Sequence, residues 1–167
     1  MLSYLISSLG FLGAIMLQFG VISRTALLSG FGDLVLLFVA AWSLHQNSKH
    51  FWVLVAVFGA LVGFISAVPA FIFVIVYLLV YLGATAIRLR VWQSPLLGMF
   101  LLTFVGTLLE HVLLALVSLF SGASFSLQLA FNEILLPSVL INMLLAIPVH
   151  ALVQEITRSI YPQGYEV

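Results

Sequence analysis

Residues 134–156 read ILLPSVLINMLLAIPVHALVQEI. The run is long enough to cross a bilayer as a helix, since ~20 residues at ~1.5 Å rise cover the hydrocarbon core. It is not uniformly apolar. Ser138, Asn142, Ala146, His150 and Gln154 recur every four residues, and residues four apart share a helix face. A small and polar stripe on a leucine-rich rod is expected to face protein, because lipid offers its polar groups no hydrogen-bond partner. Pro148 removes one backbone hydrogen bond and crowds the carbonyl of Leu144, so a kink is expected there.

The rest of the chain has the same character. Of 167 residues, 64% are hydrophobic and 6% charged, against about 25% charged in a soluble domain. Five basic and five acidic side chains cannot cover a water-soluble surface. The composition is that of an all-α integral membrane protein. Zero cysteines exclude disulfides, thiolate metal sites and cysteine catalysis. A formal net charge of zero gives no reason to expect nucleic-acid binding. The N-terminal apolar run lacks a basic flank and a small-x-small cleavage pattern, so a retained first helix is expected.

Taken in order, the chain divides into six expected spans, at about 2–22, 33–45, 51–67, 71–87, 95–120 and 134–156. The first has a close-packing face of Ser3, Ser7, Gly10, Ala14 and Gln18. Before the second, Gly30-Phe31-Gly32 predicts a bent or partly unwound approach, with Asp33 as N-cap of the helix proper. That helix is short for a crossing. Either residues 25–29 contribute, or the segment is re-entrant. The third span carries Gly59 and Gly63 as a GxxxG pair, which permits close helix approach. The fourth, rich in β-branched and aromatic residues, has the composition of a lipid-facing helix, closed at an interface by Arg88, Arg90 and Trp92. Ser94-Pro95 suits the start of the fifth, with Ser as cap and Pro in the first turn. A polar connection, SGASFSLQLAFNE, leads to the sixth. The excess of Lys49, Arg88, Arg90 and Arg158 over Arg24 predicts that both termini are cytoplasmic. No internal repeat is apparent, which argues against an inverted-repeat transporter.

Glu110 is the most informative residue. Inside a span, an unpaired carboxylate costs on the order of 2.5–3.5 kcal/mol even on the lenient insertion scale. It shares a face with Thr103, Gly106 and Thr107. Counted from Pro95, Glu110 lies ~22 Å up its helix, and Asn142 lies ~12 Å down from the opposite side. In a core of about 30 Å these depths are similar, so the two can meet. Gln18 belongs to the same half of the bilayer, and Asp33 is expected nearer the outer surface. The cluster Gln18, Glu110 and Asn142 then has three readings: a ligand or proton site, an internal lock with Glu110 neutral, or a contact with a partner helix. His111 points about 100° round the helix from Glu110, so a dyad is not expected. His150 is expected as a packing residue and His45 and His50 as interfacial. The four histidines sit on different segments without HxxxH spacing, so no metal site is expected. Glu133 suits the start of the last helix and Glu155 a solvated inner end. No phosphate loop, nucleophile elbow or paired catalytic carboxylates are present, and neither catalysis nor a cofactor is expected. The small-residue positions Gly10, Ala14, Gly59, Gly63, Ser138 and Ala146 can serve helix packing or a partner.

Three stretches carry a family resemblance. LPSVLINMLLAIPVHALV (136–153) resembles the closing helix of the bacterial rod shape-determining protein family MreD, with a Pro near its start, an Asn amid leucines and a second Pro. GDLVLLFVAAWSLH (32–45) is similar to the family's second helix, although Gly32 stands where the family usually has Pro. The Gly-rich VFGALVGFISAVP (57–69) is similar to the family's third helix but lacks the acidic residue often found near its end. The resemblance implies a non-enzymatic scaffold of the cell-elongation machinery. Its fold would be similar to the substrate-binding S component of energy-coupling-factor transporters. The implied partners are the single-span protein MreC, the MreB cytoskeleton, the glycosyltransferase RodA and a class B penicillin-binding protein. The competing expectation is a vitamin-binding S component. Such a protein needs a small-residue face on its first span, which Gly10 and Ala14 supply. It also needs a well-equipped outer pocket, for which Gln18, Glu110, Asn142, Arg24 and Gln128 are a thin set.

Overall fold

In the computed structural model, residues 2–20, 29–45, 50–66, 68–89, 94–122 and 126–160 are described. Arg24, Lys49, Arg90 and Trp92 lie outside them. The described residues form an all-helical fold. Its helices are α1 (Leu2–Gly20), α2 (Leu34–His45), α3 (Phe51–Ile65), α4 (Ala70–Leu89), α5 (Pro95–Phe120) and α6 (Leu136–Ile160). A single turn, Leu127–Leu129, and a π-helical stretch, Ala130–Leu135, run directly into α6. Three helical segments are long and apolar enough to cross a membrane: Ala70–Leu89, Pro95–Phe120 and Ala130–Ser159. The last begins earlier than expected, because the C-terminal part of the "polar connection" is helical.

The polarity is inverted relative to a soluble protein. Leu9, Met16, Phe64, Leu140 and Leu144 are exposed, while Asp33, Glu110, Thr107 and Asn142 are fully buried. An apolar exterior, with the buried polar groups gathered inside an otherwise apolar core, is consistent with a membrane protein, where lipid replaces water as the outer solvent.

At the centre stands α2. Ten of its twelve residues are buried, and it packs against α1, α4, α5 and α6. At ~1.5 Å per residue it is ~18 Å long, well short of a crossing. Its leading segment, residues 29–33, is not helical, so Gly30-Phe31-Gly32 is an unwound approach. Aromatic rings fill one side of the core. Phe11 stacks on Phe58 at 4.5 Å and meets Phe38 edge-on at 4.8 Å, and Phe38 stacks on Trp42 at 5.3 Å.

The small-residue positions are used inside the chain. The Phe38 ring lies where a Gly10 side chain would be, and a Gly59 side chain would meet the Val74 backbone at 3.0 Å. Gly63 abuts Ala70. Ala14, Ser138 and Ala146 are buried. The buried stripe of α6 continues from Ala146 through His150 to Val153 and Thr157, following the true helical period of 3.6 rather than 4. Two further local expectations are corrected. Ser94 occupies the N-cap position of α5, but its hydroxyl caps nothing. Helix α4 is not simply lipid-facing, since Ile72, Phe73, Val76, Tyr77, Val80 and Ala84 form an inward stripe.

The Gly63 contact yields a stability test. Gly63→Leu would force the α3–α4 backbones apart and is expected to cost about 1–3 kcal/mol by overpacking. Gly13 has no atom within 4 Å of a built Cβ, so Gly13→Leu is expected to be neutral. Thermal unfolding in detergent, followed by circular dichroism, reads the difference. Equal melting temperatures for the two variants would remove Gly63 from the helix contact.

Candidate functional site

The polar residues converge on the first turn of α2. A helix begins with backbone N–H groups that have no intrahelical acceptor, and here that end is buried among other helices, away from water. Four side chains meet it. Ser138 Oγ accepts from Phe31 N–H at 3.0 Å, and Asn142 Oδ1 from Asp33 N–H at 2.8 Å. Gln18 Oε1 accepts from Val35 N–H at 3.2 Å, and the Asp33 carboxylate from Leu36 N–H at 2.9 Å. Asp33 is therefore the N-cap that its sequence context predicts. It is fully buried, and its N–H on Asn142 Oδ1 puts the two residues at one level of the bundle.

Asn142 works in two directions. With its oxygen on Asp33 N–H, its amide nitrogen donates to Thr107 Oγ1 at 3.0 Å. The donor on one side and acceptor on the other fix the amide orientation. The second Asp33 oxygen accepts from Tyr77 O–H at 2.6 Å. Glu110 lies against Asp33 and Tyr77, close enough for its charge to act on both. Apart from the Asp33 carboxyl, which lies within hydrogen-bond reach of it once the pair shares a proton, Glu110 has no hydrogen-bond partner among the described residues, and Thr103 Oγ1 has none.

The two carboxyls thus have different surroundings. Asp33 receives a phenol, a backbone N–H and the positive end of the α2 dipole. Glu110 receives none of these. Two negative charges side by side in a low-dielectric interior repel strongly. The pair is therefore costly with both carboxyls ionised. No cation pairs with either carboxylate among the described residues.

A cradle also forms on the α6 side. An α-helical partner for the Glu133 carbonyl would be the N–H of residue 137, which is proline and has none. That carbonyl accepts instead from Ser29 N–H at 3.1 Å. A side chain at Gly30 would meet Pro137 Cβ at 2.6 Å and Ser138 N at 2.8 Å. Only glycine lets residues 29–33 lie this close along the start of α6. No family model, curated protein or solved structure matches this chain.

Gln18, Glu110 and Asn142 are thus brought to one place, around a residue that had been assigned elsewhere. Tyr77 joins them without any local signal, since one hydroxyl in an aromatic helix reads as an interfacial residue. His111 turns away from Glu110. Its Nδ1 lies 2.8 Å from the Thr107 carbonyl, and its ring stacks on Phe31 at 5.0 Å. The other end of α2 is also tended. Arg88 donates to the Ser43 carbonyl at 3.2 Å, placing a cation at the negative end of the helix dipole. The His45 and His150 rings, expected to be separate, lie 4.9 Å apart there. No group of three or more metal-ligating side chains forms among the described residues.

The cluster sorts its members by substitution. Asn142→Leu strands Asp33 N–H and Thr107 Oγ1 in a dry interior and is expected to cost about 2–6 kcal/mol, from roughly 1–3 per orphaned group. Glu110→Gln keeps the shape of the side chain and removes the possibility of charge, and under the reading of Glu110 as a neutral internal lock it is expected to stay within about 1 kcal/mol of the parent. Urea or thermal unfolding in a fixed detergent measures both. A Glu110→Gln loss as large as that of Asn142→Leu would mean that Glu110 carries a charge the fold depends on.

Proposed function

We propose that this chain is a non-enzymatic scaffold of the MreD type in the bacterial cytoplasmic membrane. In this reading all six helical segments lie within the bilayer and both termini are cytoplasmic. The scaffold holds an MreC-like span and helps to organise peptidoglycan synthesis with a RodA-type glycosyltransferase and a class B penicillin-binding protein. One observation supports the reading above others. The closing stretch that best resembles the family, residues 136–153, is hydrogen-bonded to the stretch 32–45 through Asp33–Asn142, and to the residue just before it through Phe31–Ser138. The Pro and Asn of the closing helix are then not incidental. Pro137 leaves the Glu133 carbonyl open to Ser29, and Asn142 ties α2 to α5.

The buried network suits a scaffold, because it fixes the positions of the helices it joins. The partner contact differs from the one the small-residue stripe suggests. Gly59 and Gly63 are occupied by α4, so an MreC-like span is left the outward faces, such as that bearing Leu9, Leu12 and Met16 on α1. Arg88, beside the end of α2, belongs to the basic set that the positive-inside rule places in the cytoplasm.

The test is gentle detergent extraction of the tagged chain from its native host, followed by mass spectrometry of what accompanies it. An MreC-like protein and peptidoglycan-synthesis enzymes are expected in wild-type preparations, with their yield reduced in Asn142→Leu. Recovery of an energy-coupling transmembrane subunit with its ATPases would replace the scaffold by a vitamin-binding S component.

A further inference from the structure

Glu110 and Asp33 meet where α5 passes the first turn of α2. Both are fully buried, and each lies within hydrogen-bond reach of the other. The Asp33 oxygens are already engaged: Oδ1 accepts from Leu36 N–H and Oδ2 from the Tyr77 hydroxyl. The Glu110 oxygens receive no donor from any other described residue. An ionised carboxylate can only accept. Two ionised carboxyls therefore have nothing to offer each other, and their contact becomes a hydrogen bond only when a proton lies between them.

The neighbours leave no other way to satisfy Glu110. From α1, Gln18 commits its oxygen to Val35 N–H, and the amide of Asn142 on α6 donates to Thr107. From α4, Tyr77 gives its one hydroxyl proton to Asp33. His111, next along α5, is turned to the Thr107 carbonyl and the Phe31 ring. None of these groups brings a cation to the pair. No third side chain of metal-ligating type joins the two acids among the described residues. A proton, unlike a metal ion or an organic ligand, needs no cavity and is taken up as the helices come together.

We propose that Asp33 and Glu110 form a proton-binding site, one proton being held between the two carboxyl groups in the folded chain. The unfolded chain ionises both acids in the ordinary carboxylate range, about 4, so folding takes up one proton near neutral pH. The stability this supplies is fully present below that range and falls as pH rises. Above about pH 5 the fall is tenfold in the folding equilibrium per pH unit, until the pair gives up its proton. Loss of that proton would set two carboxylates side by side at the start of α2 and press α5 away from it. The site stands whichever assembly the chain joins.

The test uses the full chain in a fixed non-ionic detergent, as wild type and as Glu110→Gln. A glutamine amide can donate to Asp33 as the shared proton does, so the variant keeps the contact without the proton. Infrared absorption reads protonated carboxyls directly, and the chain has only five acidic side chains to resolve. Near neutral pH the wild type is expected to show a protonated-carboxyl C=O band with the intensity of one group, and Glu110→Gln none. Urea unfolding between about pH 6 and 8 is expected to show the tenfold decline per unit in wild type relative to the variant. An absent band in wild type would show both acids ionised, and a band of two groups would show both neutral; either result overturns the proposal. So would a band that persists in Glu110→Gln, or equal pH slopes in the two proteins. The wild-type band is a test in its own right should the variant fail to fold.

Discussion

The fold depends on one constraint: α2 starts inside the protein. Its first amides have neither water nor a preceding turn to bond with, and each left unpaired would cost about 1–3 kcal/mol. The chain meets this with single polar residues on otherwise apolar helices. Gln18 comes from α1, and Ser138 and Asn142 from α6, while Asp33 caps its own helix. Thr107 on α5 and Tyr77 on α4 complete the set by bonding Asn142 and Asp33. Four helices are thereby fixed relative to a fifth by groups that can be satisfied in only one arrangement. Dispersion between leucines holds helices together with little directional preference. These hydrogen bonds supply the direction.

Much of this was legible in the sequence. The four-residue stripe of Ser138, Asn142 and Ala146 does face protein, and Thr103, Gly106, Thr107 and Glu110 do share a buried face. The glycines at 30 and 32 mark the unwound approach. Periodicity identifies a close-packed face, but not what packs against it. That is why Gly59 and Gly63 left a partner possible, although α4 fills the space. The burial of Asp33 was not legible for a related reason: an N-cap aspartate usually sits at water, and the Asn142 and Tyr77 that cover it lie far along the chain. Tyr77 and the π-helical stretch depend on contacts with residues distant in sequence, so no local pattern announces them.

The two ends of α2 are complementary. Asp33 places negative charge at its N-terminus, and Arg88 places positive charge on the carbonyls of its last turn. A short buried helix has its macrodipole less screened than a surface helix. The opposite charges at its ends stabilise it and fix its polarity within the bundle.

The separation in sequence between α2 and its acceptors also has a consequence for how the chain is made. Phe31 and Asp33 are bonded by residues 107 and 109 positions further on. When the second helix leaves the ribosome, Gln18 and Asp33 are already in place, but Ser138 and Asn142 have not yet been synthesised. Its bare amides and a carboxylate must then wait in water, at the headgroups or within the insertion machinery until α6 arrives. Membrane insertion of this protein is thus completed from its end backwards, and a chain halted before residue 138 would leave its own centre unfinished.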